Sequence, residues 1–189
     1  MEGVRRGTYV TGCVGWGVWR YPRTTEGSAI DRPSTRTILF VCTGNTCRSP
    51  MAEAIGRHLV LPNGSGKPDQ SPINIFSAGT HAMSGAPATA EAILSVEKLG
   101  IMMHQHRSTS LTAEMVRGAD VVFAMAHGHL QAIVALAPEA KARIELLDPE
   151  GNDIPDPLGY PQHVYDETAR AILEAIQSRL RSLDVELGQ

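Results

Sequence analysis

The sequence predicts an α/β fold: a single doubly wound domain with a central four-stranded parallel sheet and helices on both faces. Three observations carry that expectation. Short apolar runs rich in strand formers recur along the chain without the polar alternation of a sheet that faces water. Segments with apolar residues at helical spacing stand between those runs. Loops rich in Gly, Pro, Asn and Ser separate the two kinds of segment, so strand and helix alternate as they do in right-handed βαβ units.

Thr37-Ile38-Leu39-Phe40-Val41 is the first such run and reads as a strand buried on both faces. Residues 42–49 form a loop, after which Ser49 reads as an N-cap, Pro50 as the first helical position and Met51-Ala52-Glu53 as good helix formers. Leu61 to Pro72 is a loop by composition, and Ile73–Ser77 is the second strand. From Pro87 to Leu99, Ala88, Ala92, Ile93, Val96 and Leu99 recur at helical spacing, and Gly100 follows as a C′ residue. A helical turn at Thr112–Arg117, a strand at Asp120–Met125, a helix at Gly128–Ala137 and a strand at Ile144–Leu147 come next. The last helix is expected from about His163 to Leu187, with Ala171, Ile172, Ala175, Ile176, Leu180 and Leu183 on one face.

Residues 1–36 show neither period and mix six arginines with glycines and aromatics, carrying +3 where the whole chain of 189 residues carries −3. They are expected to be a poorly ordered extension, which leaves 37–187 as the domain. Arg5 and Arg6 precede an apolar run, but Thr11, Gly12, Gly15 and Gly17 interrupt it and no small-residue cleavage site follows, so a signal peptide is not expected. With 42% apolar and 20% charged residues and a slightly negative charge, neither a disordered chain nor a nucleic-acid binder is expected. No stretch approaches the ~20 apolar residues of a membrane span. Three cysteines, Cys13, Cys42 and Cys47, are too few for a disulfide framework and suggest a reducing, cytoplasmic setting.

Chemistry is concentrated in Cys42-Thr43-Gly44-Asn45-Thr46-Cys47-Arg48-Ser49. A loop leaving a parallel strand and entering a helix N-terminus turns backbone N–H groups inward and adds the positive end of the helix dipole, which makes an anion site. Arg48 supplies a planar fork for two phosphate oxygens. The same field favours the thiolate of Cys42, the nucleophilic form. Gly44 is expected to permit the backbone reversal, Asn45 to tolerate a left-handed conformation, and Ser49 to donate a hydrogen bond to the sulfur.

The run Val41 to Glu53 resembles the phosphate-binding loop of the low-molecular-weight protein tyrosine phosphatases, whose pattern is C-x5-R-S. Ser77-Ala78-Gly79 matches the family's S-A-G, His106 stands five residues before Leu111-Thr112 in an H-x4-L-T run where the family has a histidine, with His104 two residues away, and Asp156-Pro157 matches the D-P loop. The matches span about Thr37 to Leu183. The resemblance implies hydrolysis of phosphorylated proteins through a phosphocysteine intermediate. In it Cys42 is the nucleophile, Arg48 the phosphate ligand and Asp156 the general acid, with Asp153 and Asp148 as nearby carboxylates. It also implies that Thr43, Gly44, Asn45, Thr46, Cys47, Ser49 and Tyr160 line the substrate site, and that Ser77 and His106 support the loop through Asn45.

Within the family the loop is closest to that of bacterial protein arginine phosphatases, in which the threonine equivalent to Thr46 goes with preference for phosphoarginine. Aromatic residues that would clamp a phenyl ring directly after D-P are replaced by Leu158 and Gly159, with Tyr160 next; Tyr160 and His163 are the side chains left to line the pocket. Cys47 is a candidate partner for an oxidised Cys42. Arsenate reductases of this fold need a later cysteine, and there is none after Cys47. A non-catalytic phosphate-binding module is the other alternative, although thiol, arginine and acid are all present. Neither metal nor cofactor is called for, since no histidine and cysteine cluster has zinc spacing.

Overall fold

The structure, a computed structural model, describes residues 36–60, 73–103 and 105–183. The elements are β1 (Arg36–Cys42), α1 (Arg48–Val60), β2 (Ile73–Gly79), α2 (Ala90–Glu97), α3 (Ala113–Gly118), β3 (Val121–Ala124), α4 (His127–Leu136), β4 (Ile144–Leu146) and α5 (Gln162–Ser182). All pairings are parallel and the order is β2-β1-β3-β4. The predicted four-stranded parallel sheet is therefore present, with β1 in its interior and β2 and β3 on either side. The chain leaves β1 toward one neighbour and later returns to the other. A crevice opens at such a reversal, outside the carboxyl ends of the strands.

Side chains alternate across the sheet, so β1 contributes to two cores at once. Ile38, Phe40 and Cys42 pack with Ile75 and Phe123 against α1, α2 and α5. Leu39 and Val41 pack with Val122, Ala124 and Ile133 against α3 and α4. Phe40 and Phe123 stack at 5.9 Å between ring centroids. The unbroken apolar run of β1 follows from burial on both faces, as the sequence reading required. At the joint between α2 and α5, Asp166 accepts from Ser95, Lys98 and Gln162, which holds its carboxyl down at about 2.

Several boundaries differ from expectation for local reasons. The amide of Met51 donates to Cys47 O at 3.2 Å, so α1 starts at Arg48 and Ser49 is inside the first turn rather than capping it. Pro50 is tolerated there because first-turn amides have no intrahelical acceptor. Helix α2 starts three residues later than Pro87, because Thr89 caps it through a bond from the Ala92 amide. Gly100 does adopt a left-handed φ of 77° after α2. A 3-10 turn at Pro138–Arg143, unread in the sequence, joins α4 to β4. Residues 1–35, the stretch 61–72, His104 and 184–189 lie outside the described residues, and with them the expectations for the extension, for Cys13 and for the end of the last helix.

Gly79 ties the sheet to the loop that follows β1. It pairs with Cys42, and a Cβ at this position would stand 2.5 Å from Thr43 O and 2.9 Å from Asn45 N. Beyond it the pairing continues, with the Thr80 amide on Cys42 O and the His81 amide on Thr43 O, both at 2.9 Å. Gly79→Ala is therefore expected to destabilise the protein by ~1–3 kcal/mol through overpacking against backbone. Gly128→Ala, in open space inside α4, is expected to stabilise by about 0.5–1 kcal/mol through helix propensity. Urea unfolding of the two variants beside wild type checks both signs.

Candidate active site

The loop between β1 and α1 is shaped around the sulfur of Cys42. Asn45 is the one non-glycine residue among those described with positive φ, at 53°, and its amide points at Cys42 Sγ at 3.3 Å. The left-handed step falls at Asn45 and not at Gly44, so Gly44 is not the residue that reverses the chain. A Cβ on Gly44 would only touch Thr46 Oγ1 at an ordinary 3.5 Å.

The Asn45 side chain is completely buried, and each of its polar atoms is engaged. Nδ2 donates to Ser49 Oγ and to Ser77 Oγ, both at 2.9 Å, and Oδ1 accepts from the Thr109 amide at 2.8 Å. Its carbonyl accepts from His106 Nε2 at 2.8 Å, which requires the His106 proton to be on that nitrogen. Ser49 accepts from Asn45, and its own proton has two partners within reach, Cys42 Sγ at 3.0 Å and Ala78 O at 3.4 Å. Ser77 and His106, the predicted supporting residues, are brought together here on Asn45, and Ser49 joins them.

Arg48, the first residue of α1, is 5% exposed. Its Nη1 donates to Ile154 O at 3.0 Å and its Nη2 to Asp156 Oδ2 at 2.5 Å. The Asp156 side chain is 47% exposed, and its other oxygen accepts from the Leu158 amide at 3.2 Å. The two competing carboxylates have other tasks. Asp153 accepts from the amide and from Nδ1 of His127 at the start of α4, and these donors hold its carboxyl below the usual range. Asp148 accepts from the Glu150 amide in a turn. Tyr160 and His163 are exposed on the segment after Asp156, Tyr160 closing a turn to Pro157 O.

Thr43 is exposed and Thr46 half-buried at the loop surface. Cys47 turns its thiol inward, 3.7 Å each from Thr46 Oγ1, Thr89 Oγ1 and the Tyr165 hydroxyl. Burial and this thiol push the Tyr165 phenol up to about 12. Cys42 and Cys47 are both free and buried. Among the described residues no three His, Cys, Asp or Glu side chains group as metal ligands, and no helix is long and apolar enough to cross a membrane.

Four participants were missed in the sequence. Glu53 accepts from Ser77 at 2.5 Å and pairs with Arg57 at 2.7 Å, while Arg57 also donates to Ile75 O. Ser49, Glu53 and Arg57 follow one another at four-residue spacing on α1, a signal that was available. Thr109 contributes only an amide, and His129 reaches Thr43 Oγ1 from α4 at 2.8 Å; neither has a sequence signature.

The family model described as low molecular weight phosphotyrosine protein phosphatase matches residues 37–189. The chain is 40% identical over 147 residues to a protein-arginine-phosphatase of Geobacillus stearothermophilus, covering 76% of this chain and 92% of that one. It is 36% identical over 144 residues to the low molecular weight protein-tyrosine-phosphatase Etp of Escherichia coli K12, covering 73% and 90%. Among solved structures, the YwlE arginine phosphatase of G. stearothermophilus superposes with a TM-score of 0.69 at 36% identity, over 79% of this chain and 93% of the other. The tyrosine phosphatase Wzb of E. coli K30 with sulphate gives 0.69 at 30% identity, over 79% and 99%.

Asn45→Ala removes the left-handed tolerance and the three side-chain bonds together, and is expected to cost on the order of 3 kcal/mol. Asn45→Gly keeps the backbone shape and is expected to cost about 1 kcal/mol less. Denaturant midpoints of the two variants check the order, and equal losses would remove the backbone share of the argument.

Proposed function

The chain belongs to the low molecular weight phosphotyrosine protein phosphatase family, and from that premise we propose how its own residues hydrolyse phosphorylated protein side chains. The thiolate of Cys42 attacks phosphorus and the bond from phosphorus to the leaving oxygen or nitrogen breaks. Asp156 gives that atom its proton. Water then attacks the phosphocysteine, Asp156 takes the water's proton, and the S–P bond breaks to release phosphate and thiolate. The observation that carries this reading is the convergence on one loop of a sulfur held by Asn45 N–H and Ser49 Oγ with a buried guanidinium paired to a carboxylate.

Arg48 has a double part in this scheme. With its guanidinium on Asp156, the buried charge is compensated. An incoming phosphoryl dianion takes over the fork and frees the carboxyl to reach the leaving atom. Ser49 donates to the sulfur as it leaves in the second step. The reaction calls for no metal or cofactor, the working unit is the 37–187 domain, and thiol chemistry of this kind fits the cytoplasm.

The substrate is phosphoarginine in preference to phosphotyrosine. Thr46 presents a hydroxyl beside Gly44, and the turn after Asp156 offers exposed Leu158 before any aromatic ring. The relative at 40% identity is itself called a protein-arginine-phosphatase. A guanidine nitrogen is far more basic than a phenolate oxygen and leaves poorly as an anion, so protonation by Asp156 matters more for it.

Rates on p-nitrophenyl phosphate, phosphotyrosine peptide and phosphoarginine peptide test the scheme. Cys42→Ser is expected to abolish turnover, and residual wild-type activity would refute the nucleophile. Asp156→Asn is expected to lower kcat by about 10²–10⁴-fold. Thr46→Ile is expected to shift the ratio of kcat/KM values toward aryl phosphate by roughly tenfold, the effect of one lost hydrogen bond. Equal loss on both substrates would sink the phosphoarginine preference.

A further inference from the structure

His129 stands apart from the network around Asn45. It lies in the first turn of α4, is buried with 7% exposure, and has a single polar contact, Nε2 to Thr43 Oγ1 at 2.8 Å. Its Nδ1 is buried with no hydrogen-bond partner. Burial, and then the positive charge of Arg48, hold the ring below the usual histidine range, with Asp156 and Asp153 acting the other way. The ring is therefore neutral at pH 7, and one nitrogen carries one proton.

The orphan decides which. A proton on Nδ1 would bury an N–H with no acceptor, whereas an unmatched acceptor lone pair is the better tolerated omission. Nε2 is then the donor and the Thr43 hydroxyl oxygen the acceptor. The proton of that hydroxyl is not used on His129. Thr43 follows the nucleophile directly, is exposed at the loop surface, and is already gripped by the His81 amide on its carbonyl. His129 thus completes a second hold on the same residue from the opposite neighbour of β1.

We propose that His129 is a positioning residue for the phosphate loop: by donating from Nε2 it fixes the Thr43 side chain so that the Thr43 hydroxyl donates to a phosphoryl oxygen. The inference rests on the phosphatase reading above, since it concerns the same loop.

The full chain carries the test, with calorimetric affinity for inorganic phosphate read beside steady-state hydrolysis of p-nitrophenyl phosphate and the thermal midpoint. His129→Leu, which keeps an apolar filling and loses the donor, is expected to weaken phosphate binding and raise KM about tenfold, with a smaller change in kcat. His129→Gln carries an amide N–H at a similar reach and is expected to return both values to within about twofold of wild type. Thr43→Val is expected to match His129→Leu, and the double variant to be no worse than either, because both act through one bond.

Wild-type phosphate affinity in His129→Leu, additive losses in the double variant, or a lowered thermal midpoint with unchanged phosphate affinity would each overturn the proposal. If His129→Leu does not fold, Thr43→Val decides, and unchanged phosphate affinity in it overturns the proposal. A wild-type chain that binds phosphate but turns over no substrate would refute the hydrolytic reading alone, because the binding series still reads His129.

Discussion

The site depends on one buried side chain that holds an uncommon backbone conformation. Left-handed φ costs a residue with a Cβ roughly 1–2 kcal/mol, and Asn45 offsets this with bonds to Ser49, Ser77 and the Thr109 amide. Glycine would remove the strain but would take one hydrogen bond from each of those three partners. The amide of Asn45 can face the sulfur only because the residue turns there, and the bond from Asn45 Nδ2 holds the Ser49 hydroxyl beside the sulfur. Shape and polarity of the loop thus come from the same residue, and Glu53, His106 and Ser77 serve to keep it in place.

Charge in the site follows a different logic. An arginine that is 5% exposed needs a partner, and a permanently buried carboxylate would compete with phosphate for it. Asp156 meets both demands because it is half in solvent, on a turn held by its own bond to the Leu158 amide. It can compensate Arg48 and still yield to a dianion. The neighbouring Asp153 is fixed to the start of α4 and has no such freedom.

Much of this was legible in the sequence, for identifiable reasons. Parallel strands buried on both faces leave unbroken apolar runs, so β1 and β3 announced themselves at Ile38–Val41 and Val121–Ala124. Ser49 was harder, because a serine before Pro50 reads as a cap while its hydroxyl lies 3.0 Å from the sulfur. Gly44 and Asn45 are adjacent and either can adopt positive φ, so the loop geometry had to show which one does. Composition alone gave Asp148, Asp153 and Asp156 equal standing; their partners separate them. His129 was invisible, since it meets Thr43 across 86 residues and has no motif around it.

The register of the sheet explains why the sulfur is where the helix can act on it. Alternation assigns Ile38, Phe40 and Cys42 to the face covered by α1 and α5, and Leu39 and Val41 to the face covered by α3 and α4. A slip of one residue in β1 would turn Cys42 to the other face, away from the start of α1 and from Ser49. The pairing of Cys42 with Gly79, continued by the amides of Thr80 and His81, opposes such a slip at the residue where it matters most. Gly79 lets the two backbones come close enough for that continuation, since any side chain there would meet Thr43 O. The position of the Cys42 sulfur is therefore inherited from backbone pairing in the sheet, and the polar network around Asn45 refines a position that the register has already set.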